Sequence, residues 1–202
     1  PELEALKGRP AGPEEWHKEG SAYRHTMMVL DEMAAIRPHD ELALLMALAH
    51  DFGKAKTPRQ ELPSHPDHGR AGLDVIENFV SRLSMSNLQK KVMRDAARWH
   101  MPMNDVEDLR ESTVLDLVQD THDPARLVSL AQADTRGRKP AGEFDAARAF
   151  ERFAAAEEAI DEWDGQRLID EGYDPDEMGG ENFGNLLRQK RVETMRALEN
   201  GR

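Results

Sequence analysis

The sequence contains no cysteine among its 202 residues. Disulfides and thiolate metal sites are therefore excluded, and any bound metal must be held by His, Asp or Glu side chains. Aromatic residues make up only 5%, Val and Ile are sparse, and apolar and polar residues nowhere alternate for long, which disfavours β-strands. No run approaches the ~18 apolar residues of a membrane span. No signal peptide is visible either, so we expect a cytoplasmic protein that does not enter a membrane.

Basic residues are outnumbered, with Lys+Arg 27 against Asp+Glu 39 and a formal net charge of -12. An acidic surface repels nucleic acid at long range, so any nucleic-acid substrate must be met by a local basic pocket. The 39% hydrophobic content suffices for one helical domain with a core. The first residue is Pro1 rather than Met, from which we expect either a processed chain or part of a longer protein.

The apolar residues recur at helical spacing almost throughout, which predicts an all-α fold. We expect an irregular lead-in over 1–19, a core domain over 20–142, and a helical extension over 143–202 that packs on the core. The predicted helices cover 20–36, 41–51, 69–83, 86–99, 112–121, a segment opened by Asp123 and Pro124, 143–171, and a last segment that runs to the end.

Ionisable side chains occur on several of the apolar helices. His50 and Asp51 end the helix ELALLMALAHD, His25 lies mid-helix among apolar residues, and Asp134 lies near the end of LVSLAQAD. Such groups are costly to bury unless they are paired or bind a metal. Taken alone, the doublet is explained equally well by a core histidine beside a capping aspartate. Together, two imidazoles and two carboxylates predict one site for Mn, Fe, Co, Ni or Zn rather than Ca.

The order His, His-Asp, Asp on successive helices resembles the HD phosphohydrolase superfamily. The segments LAHDFGK, ELPSHPDHGRAG, QADTRGR and PEEWHKEGSAYRHT are similar to the C-terminal HD domain of bacterial CCA-adding tRNA nucleotidyltransferases, and the tail resembles it more faintly. The resemblance implies an HD-domain helical bundle around a metal site. It also implies a metal-dependent phosphohydrolase that removes 2′,3′-cyclic phosphates and 2′-phosphates from RNA 3′ ends or from the corresponding nucleotides.

The nucleotidyltransferase half of those enzymes is missing from this sequence. A nucleotidyltransferase needs a Gly-Ser turn followed by paired aspartates on adjacent strands, whereas Gly20-Ser21 and Asp174-Pro175-Asp176 are far apart and on no predicted strand. We therefore expect the hydrolytic domain alone, either free-standing or fused to, or cooperating with, a nucleotidyltransferase, kinase or ligase of RNA processing.

Two further histidines raise the question of a second metal. In two-metal HD proteins, histidines at the places of His68 and His100 bind a second ion that the doublet's aspartate, here Asp51, bridges. Trp99 stands beside His100, where two-metal members often have another histidine. The alternative is that His68 and His100 support the ligands or donate a proton to the leaving oxygen.

Several other residues are candidates for contacts with substrate. We expect Asp51 to orient the nucleophile as well as bind metal, and Lys54 and Arg136 to bind phosphate oxygens, with Arg138 and, more weakly, Arg70 as further candidates. The remaining candidates have open assignments: His65 is either a general acid or exposed, Trp16 and His17 either stack on a base or cover a core edge, and His39 and His122 are expected at the surface.

Two rival functions stay open at this stage. The same site would serve a 5′-nucleotidase or a cyclic-nucleotide phosphodiesterase, which needs a closed pocket where an RNA-end enzyme needs an open groove. A non-catalytic module that binds nucleotides or RNA and regulates a partner would show a broken set of ligands.

Overall fold

The structure, a computed structural model, describes residues 1–201 and is helical over most of them. No β-strand occurs in this range, so the all-α prediction is confirmed. The helices are α1 (Glu2–Lys7), α2 (Ala22–Ile36), α3 (Glu41–Ala49), α4 (His68–Val80), α5 (Asn87–Asn104), α6 (Glu111–Asp120), α7 (Pro124–Arg136), α8 (Ala146–Glu162), α9 (Gly165–Asp170), α10 (Pro175–Met178) and α11 (Gly180–Asn200).

The chain divides into two compact units. The first consists of Pro1–Asp105 and Thr121–Ala146, and the second of Val106–Asp120 together with the chain from Ala147 onward. The sequence division at 19 and 142 did not foresee that α6 leaves the first unit. The packing of residues 143–202 on the core stays a prediction. In the range described, no helix combines the length and the apolar character needed to cross a membrane.

The helices of the first unit begin at polar caps. The side chains of Ser21, Asp40 and Asp123 accept hydrogen bonds from backbone N–H groups in the first turns of α2, α3 and α7, which satisfies donors that the helix itself leaves unpaired. Helices α3 and α7 contact each other, and each of them also contacts both α2 and α5. These contacts bring residues that are far apart in sequence to one place.

A tightly packed apolar core holds α4 and α5 against the doublet. Its buried members include Leu6, Phe52, Ile76 and Met93. Helix α5 continues past the predicted end at residue 99 and through Pro102 to Asn104. A proline this close to the C-terminal end removes only one helical hydrogen bond, and burial of Met103 stabilises the extra turn.

The segment after the doublet approaches α4 more closely than any residue but glycine would allow. It forms a 3₁₀ turn, Phe52–Lys56, with Phe52 fully buried. A Cβ atom on Gly53 would lie 1.7 Å from the backbone oxygen of His68, and one on Gly69 would lie 2.6 Å from that of Ala97. Gly53 is therefore needed for the close approach of the two backbone segments. These two close contacts place the start of α4 next to the His50-Asp51 doublet and next to α5.

The lead-in is more ordered than predicted. It contains α1, whose Leu6 belongs to the core. The Lys18 N–H donates to the Lys139 carbonyl at 2.7 Å, and the Ala22 N–H donates to the Arg9 carbonyl at 2.9 Å. The lead-in is thus hydrogen-bonded through its backbone to the start of α2 and to the segment that follows α7.

The second unit contains α6 and α8–α11. The single helix predicted over 143–171 is wrong, because Asp164 caps a new helix, α9, by accepting from the Arg167 N–H at 2.7 Å. Within this unit the Trp163 Nε1 donates to Thr194 on α11 at 3.0 Å. The buried Arg152 pairs with Glu199 at 2.6 Å.

Candidate metal centre

Three of the four predicted ligands form one buried cluster. His25 on α2, His50 at the end of α3 and Asp134 on α7 present ligand atoms that all lie within 4.8 Å of one another. The closest contact joins His25 Nε2 to Asp134 Oδ1 at 2.9 Å. All three side chains are buried. Ligands bonded to one ion at about 2.1 Å lie roughly 3–4 Å apart, so the cluster is close to the geometry that a chelating ion requires.

Asp51, the fourth predicted ligand, lies between this cluster and a second one. Its Oδ2 is 3.3 Å from His50 Nε2 and 3.8 Å from His25 Nε2. Its Oδ1 is 3.3 Å from His68 Nε2 and 3.6 Å from His100 Nε2. Each carboxylate oxygen thus faces a different pair of imidazoles, the arrangement that a bridging carboxylate requires.

Asp51, His68 and His100 form the second cluster, with ligand atoms also within 4.8 Å of one another. The Nε2 atoms of the two histidines lie only 2.9 Å apart. His68 donates from Nδ1 to the His65 carbonyl at 2.7 Å, and His100 donates from Nδ1 to the carbonyls of Ala96 and Ala97, both at 3.0 Å. Both Nε2 atoms therefore present lone pairs to each other. A cation between them would relieve that repulsion.

The same orientation holds in the first cluster. His50 donates from Nδ1 to the Ala47 carbonyl at 2.8 Å, and His25 Nδ1 lies 3.2 Å from Glu19 Oε1. His50 Nε2 is completely buried and has no hydrogen-bond partner. Metal-binding histidines usually donate their other ring N–H to a carbonyl or carboxylate, which fixes the ring. The residues present therefore fit a divalent metal, as the donor set in the sequence predicts.

The electrostatics of the site favour bound positive charge. Burial raises the pKa of Asp51, but Lys54 and His50 outweigh it and hold that pKa well below the usual value. Burial likewise opposes ionisation of Asp134, yet His25 and Arg138 keep its pKa well below the usual value. For His25, burial lowers the pKa, but contacts with Asp134 and Glu19 raise it to about 9. Two buried, ionised carboxylates thus attract a cation to the imidazoles.

Glu19 is a buried residue of the site that the sequence analysis missed. Burial raises its pKa, but contacts with His25 and His17 lower it to about 2, so the carboxylate is ionised. Its Oε1 accepts from His17 Nδ1 at 2.6 Å, and its Oε2 accepts from the Lys139 N–H at 3.0 Å. Its position six residues before His25, in the predicted irregular segment, carried no helical spacing that would have linked the two.

The predicted phosphate-binding cations differ in their position relative to the clusters. Lys54 is buried beside Asp51, with Nζ 2.7 Å from Asp51 Oδ2 and 2.7 Å from the Ala11 carbonyl. Arg136 is exposed and does not line the cavity at the clusters, so its assignment there is wrong. Two residues beyond Asp134, it faces the other side of α7. Arg138, four residues beyond Asp134, contacts Asp134 Oδ2 at 2.7 Å and does line the cavity.

A cavity of about 230 Å³ opens onto the two clusters. Its wall includes His25, Asp51, His68, His100 and Asp134, and also Asn104, which the sequence analysis did not single out. Asn104 reaches the site because α5 runs past Pro102, and its Nδ2 donates to Asp134 Oδ2 at 3.0 Å. Hereafter this space is called the metal cavity.

The remaining candidates are distributed as follows. His65 is buried rather than exposed, because it bridges Thr57 at 2.8 Å and the Pro10 carbonyl at 2.7 Å. His17 is half-buried and lines the metal cavity. Trp16 is 60% exposed and so does not cover a core edge; base stacking by Trp16 stays a prediction. His39 and His122 are exposed, as predicted.

Comparison with known proteins places this architecture in a family. The HD domain family matches residues 22–136, which include both clusters. The Multifunctional CCA protein of Methylococcus capsulatus is 33% identical over 216 residues, covering 100% of this chain and 47% of the relative. The Multifunctional CCA protein of Halorhodospira halophila is 38% identical over 157 residues, covering 71% of this chain and 37% of the relative.

This chain thus spans less than half the length of these curated relatives. No solved structure matches it. The match to the family extends over more than half of the described residues and contains every side chain of the two clusters. The chain therefore belongs to the HD domain family and carries clusters of His and Asp side chains that could hold a metal ion.

Proposed function

We propose that the protein is a metal-dependent phosphohydrolase that acts on 2′,3′-cyclic phosphates and 2′-phosphates at RNA 3′ ends or on the corresponding nucleotides. The observation that carries the proposal is the common orientation of four buried histidines. His50, His68 and His100 donate from Nδ1 to backbone carbonyls, and His25 Nδ1 lies 3.2 Å from Glu19 Oε1. All four Nε2 atoms lie within 3.8 Å of a carboxylate oxygen of Asp51 or Asp134. We infer from it two adjacent ion sites that share Asp51.

The ligand assignments follow from this orientation. His25, His50, Asp134 and Asp51 Oδ2 would hold the first ion, and a second would be held by His68, His100 and Asp51 Oδ1. A divalent ion bound there would supply positive charge to a phosphoryl oxygen and lower the pKa of a water molecule. The donor set of imidazoles and carboxylates suits Mn, Fe, Co, Ni or Zn.

Two cations of the protein would bind the phosphate. Lys54 is 8% exposed at its side chain and Arg138 is 26% exposed, and both line the metal cavity. Their charges would neutralise the negative charge that builds on the phosphoryl oxygens during in-line attack. Asp51, in contact with Lys54, would also orient the attacking water.

The two histidines of the second cluster are assigned as ligands rather than as proton donors. Their Nδ1–H groups are used by backbone carbonyls, and their Nε2 atoms face Asp51. Burial, followed by repulsion from His50, lowers the pKa of His100 to about 3. A ring that stays neutral at physiological pH has no proton on Nε2 to give to a leaving group. The leaving ribose oxygen would therefore take its proton from water.

The size of the metal cavity and the names of the relatives support the substrate class. A space of about 230 Å³ accommodates a terminal phosphate with part of its ribose rather than a long strand. Both relatives are called multifunctional CCA proteins, which points to an RNA 3′ end. Cleavage of a cyclic 2′,3′ ester requires little contact beyond the terminal nucleotide, because its leaving group is tethered.

The experiment compares three substrates on metal-loaded protein. Nucleoside 2′,3′-cyclic phosphates and short RNAs that end in the same group should be hydrolysed at comparable rates, and deoxynucleoside 5′-monophosphates should be poor substrates. A clear preference for 5′-monophosphates would overturn the RNA-end proposal in favour of a nucleotidase. Absence of turnover on all three, with the metal bound, would favour a non-catalytic binding module.

A further inference from the structure

A second cavity, of about 340 Å³, lies beside the metal cavity. Its wall carries Arg70 from the first turn of α4 and Arg98 from α5, and it is called here the arginine cavity. The two cavities share Ser64, His68 and Met101 as lining residues. The two cavities are therefore adjacent, with these three residues between them.

His68 forms the boundary between the two cavities. Its Nε2 is 3.3 Å from Asp51 Oδ1 in the second cluster, while the residue also lines the arginine cavity. Met101, the other large shared residue, is 48% exposed and borders both spaces at the surface. A chain whose end occupies the metal cavity would thus pass over His68 and Met101 to reach the arginines.

The arginine cavity is locally basic in an acidic protein. The chain carries a net charge of -12, yet two guanidinium groups border this space against one carboxylate, Asp67. Both arginines are exposed, so a ligand from solvent can reach them. The Arg98 guanidinium carbon lies over the Trp99 ring, 4.7 Å from its centroid, which is a cation–π contact.

We propose that the arginine cavity binds an internucleotide phosphodiester of an RNA strand whose terminal phosphate lies in the metal cavity. The inference rests on the proposed function and adds a second subsite to it. Guanidinium groups present planar N–H donors that match phosphate oxygens. An acidic chain needs such a local basic region to hold a polyanion, because its overall charge repels one.

Loss of the arginines should affect oligonucleotide substrates and not mononucleotides. Adenosine 2′,3′-cyclic phosphate has no internucleotide phosphate, whereas the dinucleotide ApA with the same terminal group has one. Replacing both arginines, as Arg70→Ala/Arg98→Ala, should lower kcat/KM for the dinucleotide about tenfold and leave that for the mononucleotide unchanged. The slope of log affinity against log salt for the dinucleotide should fall by about 0.7, the value for one contact to single-stranded nucleic acid.

The control is Arg24→Ala/Arg59→Ala, which removes the same charge from two exposed arginines that line neither cavity. It should leave both substrates and the salt slope unchanged. Equal losses on both substrates, or no loss on the dinucleotide, in the Arg70/Arg98 variant would overturn the inference. An equal loss in the control would also overturn it, because only long-range charge would then be involved.

A binding measurement keeps this inference distinct from the proposed function. ApA with a 3′-phosphate is titrated onto metal-loaded protein at two salt concentrations, alongside adenosine 3′-phosphate. If the wild type hydrolyses neither cyclic substrate, the proposed function fails. Tighter binding of the dinucleotide that Arg70→Ala/Arg98→Ala abolishes would still support the arginine cavity. Equal binding of the two ligands by the wild type would reject it.

Discussion

Glu19 provides a test of whether the ring orientation of His25 serves metal binding. This carboxylate is only 3% exposed, and its Oε1 lies 3.2 Å from His25 Nδ1. With its pKa lowered to about 2 by its contacts with His25 and His17 against the effect of burial, it is charged throughout the physiological range. Glu19→Gln would remove the negative charge beside the His25 ring and keep the shape of the side chain. The Nε2 atom of that ring faces the first cluster.

We expect Glu19→Gln to weaken metal binding about 10- to 100-fold, the usual loss when a partner of a metal-bound histidine is changed. That factor corresponds to about 1.4–2.8 kcal/mol. The loss of affinity should be similar for Mn²⁺ and Zn²⁺, because the substitution changes the partner of the His25 ring rather than the distances from the ligands to a particular metal. Affinity is measured by competition with a chelator, and circular dichroism of the metal-free variant verifies that it is folded.

The matched control is Glu14→Gln, which makes the same change at an exposed position of the same segment. It should leave the affinity within about twofold of the wild type, as expected for an exposed charge screened by solvent. A folded Glu19→Gln protein that binds both metals as tightly as Glu14→Gln would refute the reasoning. Glu19 would then make no contribution to metal binding by His25.

Three further changes test the cations and the close approach of the backbone. Arg138→Ala should lower turnover of a 2′,3′-cyclic phosphate about 100- to 1,000-fold. Arg136→Ala should leave turnover unchanged, because that side chain is exposed and does not line the cavity. Equal effects of the two changes would contradict the assignment of Arg138. Lys54→Ala should lower turnover by a similar factor while the metal content stays constant, and release of metal with unchanged turnover per ion would make it a structural residue. Gly53→Ala should lower the free energy of unfolding by at least about 3 kcal/mol, because its Cβ would lie 1.7 Å from the backbone oxygen of His68. An unchanged midpoint of denaturant unfolding would contradict that contact.

The helices and the first cluster follow from local features of the sequence. Asp40 stands directly before the predicted helix 41–51, and its side chain caps α3 by accepting from the Ala43 N–H at 3.1 Å. His25, His50 and Asp134 were predicted to converge because each is an ionisable residue on an apolar helix, and they lie within 4.8 Å of one another. The cost of burying such groups unpaired is a strong signal that can be read without knowing the fold.

The missed features depend on contacts between segments that have no local pattern. Glu19 and Asn104 reach the site because the lead-in pairs with Lys139 and because α5 continues past Pro102. The choice of Arg136 over Arg138 used proximity in sequence, whereas the turn of an α-helix places the fourth residue beyond Asp134 on its side. His65 was assigned as either a general acid or an exposed residue, whereas its buried ring contacts the Thr57 hydroxyl and the Pro10 carbonyl.

The central claim is that Asp51 lies between two ion sites built from His25, His50 and Asp134 on one side and from His68 and His100 on the other. Anomalous diffraction from crystals grown with Mn²⁺ tests it most directly. Two anomalous peaks are expected in each molecule, and each ion should lie about 2.1–2.2 Å from a different oxygen of Asp51. A single peak at the first site would remove the second ion from the account. Absence of any ion from both clusters, in crystals that hold the metal elsewhere on the protein, would contradict the claim.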